Sequence, residues 1–101
     1  KGVDPTTYSI SNQTGFIMYS VVIFEFDASG NITKDVSIGT MNNLQTTSKI
    51  KASKNTTRIK VGLKIAENLD FLYTASYTFL EKEQNTNLTI TGDTMISGRL
   101  Q

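Results

Sequence analysis

The longest apolar stretch of the chain is residues 15–26, GFIMYSVVIFEF. Val, Ile and Phe dominate it, and β-branched and aromatic residues favour a strand over a helix. In an extended strand its apolar residues divide between two faces, Phe16, Met18, Val22, Phe24 and Phe26 on one and Ile17, Tyr19, Val21 and Ile23 on the other. A strand that is apolar on both faces needs cover on both, so we expect it in the interior of the fold.

Six further segments alternate polar and apolar residues with the period of a strand. They are residues 6–11, 32–41, 46–52, 57–65, 71–80 and 87–95. In the fourth of these, every odd-numbered residue from Ile59 to Ile65 is apolar and the even-numbered residues are basic or glycine. In the fifth, the odd-numbered residues from Phe71 to Phe79 form an aromatic row interrupted by Ala75, and we expect this row in the core. The alternative is a sugar-stacking platform of Phe71, Tyr73, Tyr77 and Phe79 on an exposed sheet face.

Turn signals and length complete the prediction of the fold. Residues 27–31, DASGN, indicate a hairpin, because Asp at the start and Gly near the end suit a type I turn closed by a bulge. About seven strands without a helix predict an all-β, antiparallel β-sandwich of immunoglobulin-like or transthyretin-like type. A small closed β-barrel is the alternative. The 101 residues suit one domain over 1–101, in which we expect 1–5 and 97–101 to be flexible.

The composition removes several kinds of functional site. Cys, His and Trp are absent, which excludes disulfides, thiol catalysis and Cys-based zinc sites, and also the usual general base near neutral pH. Glu25 is the one carboxylate within an apolar face of the predicted central strand, and its place at the strand end favours a structural role. Loop residues such as Asp27 and Asn31 lack the spacing of a calcium loop and are typical of turns. The sequence therefore predicts no catalytic, cofactor-binding or metal site.

The net charge and the hydropathy of the chain argue against two classes of partner, nucleic acid and the membrane interior. Ten Lys and Arg against nine Asp and Glu leave a net charge of +1, which provides no overall attraction to nucleic acid or to an anionic membrane. No run approaches the roughly 18 apolar residues of a membrane span.

The chain begins at Lys1 without an initiator Met, which we interpret as the start of a processed, exported protein, with a cytosolic origin as the alternative.

The most suggestive charged feature is a row of basic residues. It consists of Lys49, Lys51, Arg58, Lys60 and Lys64. Most of these charges share one sheet face if the strands on either side of the turn at 53–56 pair with each other, and such a face is a candidate surface for an acidic polysaccharide or lipid headgroups. The competing interpretation is a solvated outer face whose lysines discourage aggregation. The solvated outer face is the favoured interpretation, because we expect no aromatic residues to interleave with these charges and provide a binding surface.

Three stretches carry a resemblance to known proteins. They are residues 8–16 (YSISNQTGF), 22–31 (VIFEFDASGN) and 88–94 (LTITGDT). Together they resemble small exported domains of gut Bacteroidetes, which are lipoproteins or periplasmic and cell-surface proteins of unknown function. The resemblance implies a β-sandwich behind a removed signal peptide, and a lipidated Cys upstream of residue 1. It transfers no binding or catalytic residue.

Two functional hypotheses follow from these observations. The first is a non-enzymatic, exported module, periplasmic or on the cell surface, with a binding or structural role in the cell envelope and an unknown protein or glycan partner. The second is a carbohydrate- or polyanion-binding domain that uses the basic row. Neither hypothesis involves a cofactor, nucleic acid or a transmembrane span.

Overall fold

A computed structural model of the protein describes residues 6–79, 86–92 and 99–100. Within these residues all regular structure is β-strand. The strands in chain order are β1 (Thr7–Gln13), β2 (Met18–Phe26), β3 (Ile32–Met41), β4 (Ile50–Lys51), β5 (Arg58–Lys64), β6 (Leu72–Tyr73), β7 (Tyr77–Thr78), β8 (Thr86–Thr91) and β9 (Arg99–Leu100). No helix suited to crossing a membrane occurs in this part of the chain.

The strands form two sheets packed against each other, which confirms the predicted all-β sandwich. One sheet has the order β4-β1-β8-β9, and the other has the order β3-β2-β5-β6 with β7 also paired to β5. Among the described strands none belongs to both sheets, so the arrangement is a sandwich and not the closed barrel.

Two pairings at the ends of the chain were not part of the prediction. Strands β1 and β8 run parallel, whereas the other pairs in the described residues are antiparallel. Arg99 and Leu100, which the sequence placed in a flexible end, pair with β8 as strand β9. The other residues expected to be flexible, 1–5, 97–98 and 101, lie outside the described residues.

The core lies between the sheets and is built from alternate residues of their central strands. Its largest completely buried apolar side chains are Tyr8, Ile10, Met18, Ile23, Met41, Ile59, Leu63, Leu88 and Ile90. The row from Ile59 to Leu63 on β5 faces inward, as its alternation predicted. Each fully buried Leu or Ile side chain contributes about 1.5–3 kcal/mol, so this interior is the main source of stability.

Strand β2 is central in its sheet, as predicted, but only one of its faces lies in the core. Ser20 has a φ of +53°, and the pairing with β5 shifts register between Tyr19 and Val22. This irregularity reverses the side-chain alternation within the strand. The predicted division of its faces is therefore wrong. The buried residues are Met18, Val21, Ile23 and Glu25, and the half-buried outer residues are Val22, Phe24 and Phe26.

The β2–β3 hairpin has the predicted turn. The amide of Asp27 donates to the carbonyl of Asn31 at 2.9 Å, and the amide of Gly30 donates to the carbonyl of Asp27 at 3.0 Å. The Asp27 carboxylate accepts the amides of Ser29 and Asn31, each at 2.9 Å. Gly30 has a φ of +91°, a region that glycine enters without steric cost. The carboxylate of Asp27 thus stabilises the turn through its hydrogen bonds.

The predicted strand at 46–52 is mostly irregular. Only Ile50–Lys51 forms a strand, β4, and its partner is β1, where Thr7 lies opposite Lys51 and Tyr8 opposite Ile50. Strand β5 pairs instead with β2, β6 and β7. The predicted pairing across the turn at 53–56 is therefore wrong, because the chain crosses there from one sheet to the other.

The predicted strand at 71–80 is split into β6 and β7. At the break, the amide of Val61 donates to the Thr74 hydroxyl at 3.0 Å, where a regular ladder would offer a backbone carbonyl. The amide of Thr74 still donates to the carbonyl of Val61 at 2.9 Å. The aromatic row divides at this point, since Phe79 is buried whereas Phe71 and Tyr73 are exposed. The expectation that the whole row lies in the core is wrong.

A polar cluster inside the core links the two sheets. Glu25 is completely buried, and its Oε2 accepts the Tyr8 hydroxyl at 2.6 Å. Its Oε1 accepts the amide and the hydroxyl of Ser53 at 2.8 and 2.9 Å, and the Thr56 hydroxyl at 3.3 Å. A buried carboxylate is tolerated only with such donors, so the cluster holds β1 and the turn at 53–56 against β2.

Burial raises the pKa of Tyr8 above its ordinary value of 10.0, and the hydrogen bond to Glu25 and the charge of Glu25 act in the same direction. Above pH 10 the unfolded chain loses this proton whereas the folded chain keeps it. The unfolding free energy should therefore fall by about 1.4 kcal/mol per pH unit above about pH 10. Below that pH the protonated Tyr8 makes its full contribution to stability. Urea unfolding in steps from about pH 9 to pH 11 measures this slope. The Tyr8→Phe variant should lack this component, and equal slopes for the two proteins would contradict the prediction.

At the opposite end of β1, Asn12 organises two loops. Its side chain is completely buried, and Nδ2 donates to the carbonyls of Phe16 at 2.8 Å and of Met41 and Asn42 at 3.1 Å. Its Oδ1 accepts the amide and hydroxyl of Thr14 at 3.0 and 2.6 Å. Both polar atoms of the amide are therefore satisfied inside the protein.

Candidate functional site

The outer face of the five-stranded sheet brings basic and aromatic side chains together. On β5 the even-numbered residues face away from the core, and across the ladder Phe24 lies opposite Lys60 and Phe26 opposite Arg58. Strand β6, on the other side of β5, adds further rings. We refer to the aromatic–cationic face as Phe24, Phe26, Arg58, Lys60, Lys64, Phe71 and Tyr73.

Gly62 allows one of these rings to lie close over β5. A β-carbon at this position would be 3.0 Å from the ring of Tyr73 and 3.3 Å from the side chain of Val22. Glycine at position 62 therefore accommodates the close approach of the ring to the strand. The other contacts of the ring are with neighbouring aromatics, since its centroid is 6.2 Å from that of Phe24 and 6.1 Å from that of Phe71. Even so, Tyr73 remains 52% exposed.

The basic residues of the face lie beside these rings. The guanidinium of Arg58 is 5.2 Å from the centroid of Phe26, and the Lys64 ammonium is 5.1 Å from that of Phe71. Both distances are typical of cation–π contacts. Among the described residues none of Arg58, Lys60 and Lys64 forms an ion pair, so their charges are not neutralised there by a neighbouring carboxylate.

Within the described strands β2, β3 and β5, one acidic residue lies on this side of the sheet. Asp35 on β3 lies opposite Phe24, which in turn lies opposite Lys60. Asp35 and Lys60 are thus two strands apart, or about 10 Å, beyond the reach of a direct ion pair. The face is therefore positive along β5.

The structure divides the basic row that the sequence predicted. It brings Arg58, Lys60 and Lys64 together on β5. Lys51 belongs to β4 in the other sheet, and Lys49 comes just before that strand. The predicted strand pairing that would place Lys49 and Lys51 on the same face as the β5 cations is wrong, and so is the expectation that no aromatic residues interleave with the charges.

Phe24 and Phe26 were not predicted as site residues, whereas Phe71 and Tyr73 belong to the row for which a sugar-stacking platform was the alternative to the core. Two features of the sequence pointed to them. The first is the second apolar face of residues 15–26, which exceeds what one core needs. The second is Gly62, the one residue without a side chain in the basic row of β5, which can indicate close approach of another group.

The acidic groups weighed for catalysis or metal binding are placed differently. Glu25 is completely buried, and each of its oxygens accepts hydrogen bonds from the protein. In residues 6–79, 86–92 and 99–100 no group of three Asp or Glu residues is arranged to hold a metal ion. The aromatic–cationic face is therefore the candidate site that the described structure offers.

Comparison with known proteins establishes the fold. No protein-family model and no curated protein sequence matches the chain. An NMR structure of a protein from Eubacterium rectale is similar with a TM-score of 0.68 and 14% identity, over 97% of this chain and 87% of that one. The human-specific toxin intermedilysin is similar with a TM-score of 0.50 and 19% identity, over 95% of this chain and 22% of the toxin. Pneumolysin has a TM-score of 0.50 and 12% identity, with the same coverage of 95% and 22%.

The chain thus spans about a fifth of the length of intermedilysin and of pneumolysin, since it covers 22% of each. At such identities the likeness concerns the fold alone, and function depends on the site.

Proposed function

We propose that this protein is a non-enzymatic binding module of the cell envelope and that it binds an anionic partner through the aromatic–cationic face. The observation that supports this function is a set of three basic side chains that form no ion pair with the described residues and lie beside the exposed rings of Phe71 and Tyr73 and the half-buried rings of β2. Rings provide apolar contact area whose π-faces attract positively polarised C–H groups, and basic groups provide charge-assisted hydrogen bonds. A partner that carries both apolar and anionic groups would therefore contact the rings and the basic groups of the face together.

The proposal also includes a cellular location, the periplasm or the cell surface. It rests on the resemblance of three stretches of sequence to exported Bacteroidetes domains, which implies the periplasm or the cell surface and a lipidated Cys upstream of residue 1. The sandwich fold is compatible with that resemblance.

The non-enzymatic part of the proposal is supported by the chemistry of the chain. It has no His or Cys, and the carboxylate of Glu25 is occupied by donors from Tyr8 and Ser53. A reproducible turnover on a broad panel of hydrolase substrates that the Glu25→Gln variant abolishes would contradict this part.

The binding proposal predicts unequal effects of two lysines. Lys60→Ala should weaken binding to immobilised heparin about tenfold, because it removes a charge-assisted contact from the face. Lys49→Ala removes the same charge from the segment before β4, which belongs to the other sheet, and should leave binding within about twofold. Surface plasmon resonance at about 50 mM and 500 mM NaCl measures both, and added salt should weaken binding by screening.

Both variants alter exposed or half-exposed lysines, so thermal melting should show that each folds like the parent protein. An equal loss of affinity in both would mean that binding follows net charge and not the face. If the parent protein binds none of heparin, polygalacturonate and dextran sulfate, the proposed anionic partner is wrong.

A further inference from the structure

The three cations of the face lie on a single strand. Arg58, Lys60 and Lys64 all belong to β5 and point to the same side. At about 3.4 Å per residue, the row from position 58 to position 64 is about 20 Å long. An elongated row of charge of this kind is matched by an anion that extends along the strand, since a single sugar contacts one part of it.

Rings flank this row on both sides. Phe24 and Phe26 come from β2, and Phe71 and Tyr73 come from the β6 side. Neighbouring strands are about 4.8 Å apart, so Phe24, Phe26 and Phe71 border a strip about 10 Å wide that is centred on β5, and the Tyr73 ring lies within the strip over Gly62. The strip can accommodate one extended chain.

The order of groups along the strip specifies the chemistry of that chain. Along β5 the outer positions are occupied by Arg58, by Lys60, by the Tyr73 ring over Gly62, and by Lys64. The order is thus cation, cation, ring, cation. A linear acidic polysaccharide has the matching features, because its sugar rings present C–H faces and carry carboxylates or sulfates at regular intervals.

We propose that the face takes a linear acidic polysaccharide laid along β5, with its anionic groups on the three cations and a sugar ring on Tyr73. This inference rests on the proposed function and adds the class and the orientation of the ligand. A flexible acidic peptide has no ring for Tyr73. Single-stranded nucleic acid has both bases and phosphates, and an oligothymidylate is therefore one of the competing probes in the test.

The extended orientation predicts dependence on ligand length. Oligogalacturonates of two, four, six and eight sugars, titrated by calorimetry, should bind more tightly with each step until they span the row and then level off. We expect at least a tenfold gain from the dimer to the plateau, because each further charge-assisted contact adds to the affinity. Neutral maltooligosaccharides of the same lengths should bind at least tenfold more weakly than the charged chains.

Two sets of variants separate charge from stacking. Lys60→Ala combined with Lys64→Ala should abolish the gain with length, whereas Lys49→Ala should keep it. Gly62→Ala retains every cation but places a β-carbon 3.0 Å from the Tyr73 ring, so it should weaken binding about fivefold with an unchanged salt dependence. Because position 62 is buried, the exposed Tyr73→Ala change serves as a second test of the same contact.

The outcomes distinguish this inference from the proposed function. If acidic probes bind but the galacturonate dimer binds as tightly as the octamer, or if Tyr73→Ala has no effect, the function stands and the extended orientation is wrong. Tighter binding of a polyglutamate peptide, of an oligothymidylate or of anionic vesicles than of every acidic oligosaccharide would overturn the ligand class. Binding of none of these anions would overturn the proposed function itself.

Discussion

Replacement of Asn12 by aspartate is expected to lower the free energy of unfolding by about 4 kcal/mol near neutral pH, since it leaves an uncompensated buried charge. The Asn12 Nδ2 donates to three carbonyls, at 2.8 to 3.1 Å. In the aspartate variant a carboxylate oxygen would face those carbonyls without a proton to donate. The loss is therefore larger than that of a single hydrogen bond, which is about 1 kcal/mol.

The pH dependence of this variant provides an internal check. Burial raises the pKa of a carboxyl group, and the neutral form can donate one hydrogen bond to the carbonyls. Because the folded-state pKa would exceed the unfolded value of about 3.9, the defect should shrink as the pH falls toward that range. Urea unfolding at about pH 5 and pH 8 measures the difference.

Asn68→Asp is the matched control for this variant, because Asn68 lies exposed in the loop after β5. It makes the same chemical change and should alter the stability by no more than about 0.5 kcal/mol. Similar losses in both variants would show that added charge, and not the lost hydrogen bonds, is responsible.

The second large effect is expected at Glu25. Glu25→Ala leaves the hydroxyl of Tyr8 and the amide of Ser53 without their acceptor inside the protein. An unsatisfied buried donor costs about 1–3 kcal/mol, and the cavity left by the side chain adds to this, so we expect a loss of about 4 kcal/mol. Glu25→Gln keeps the shape and one acceptor oxygen, and it should cost about 1–2 kcal/mol.

Chemical denaturation of the two variants beside Glu67→Ala, which truncates an exposed glutamate, tests this order. Hydrogen exchange of the Ser53 amide provides a local readout, because this amide donates to Glu25 at 2.8 Å and should exchange faster in Glu25→Ala than in Glu67→Ala. If Glu25→Ala is as stable as Glu67→Ala, the cluster does not hold the sheets together.

Both residues show how far a sequence can indicate a structural role. Glu25 interrupts an apolar face in the sequence, and Val21 and Ile23 of that face are buried with it. Asn12 stands in an ordinary turn sequence, and nothing local shows that its amide lies among carbonyls from two loops. A residue of this kind is recognised only when the loops are brought together.

The candidate site was predictable in part. Arg58, Lys60 and Lys64 alternate with apolar residues that pack inside, and an outward basic row on this strand follows directly. The inclusion of Lys49 and Lys51 depended on which strand is the neighbour in space. That choice is made by packing between distant segments, since β4 pairs with β1 and the chain changes sheets at 53–56.

The sequence alone determined the features that arise from local chemistry. These are the all-β class, the hairpin at Asp27 and Gly30, the inward row of β5 and the central place of β2. Each follows from the two-residue period of a strand or from the conformational preference of a turn residue.

Only the tertiary structure decided which apolar surface lies inside. A register shift near Ser20 turns one face of β2 outward, and the side chain of Thr74 divides the aromatic row between core and surface. Both depend on hydrogen bonds between segments that are distant in sequence. As a result, rings expected in the interior stand beside the cations of β5, because a sheet covered on one side leaves its other face to solvent.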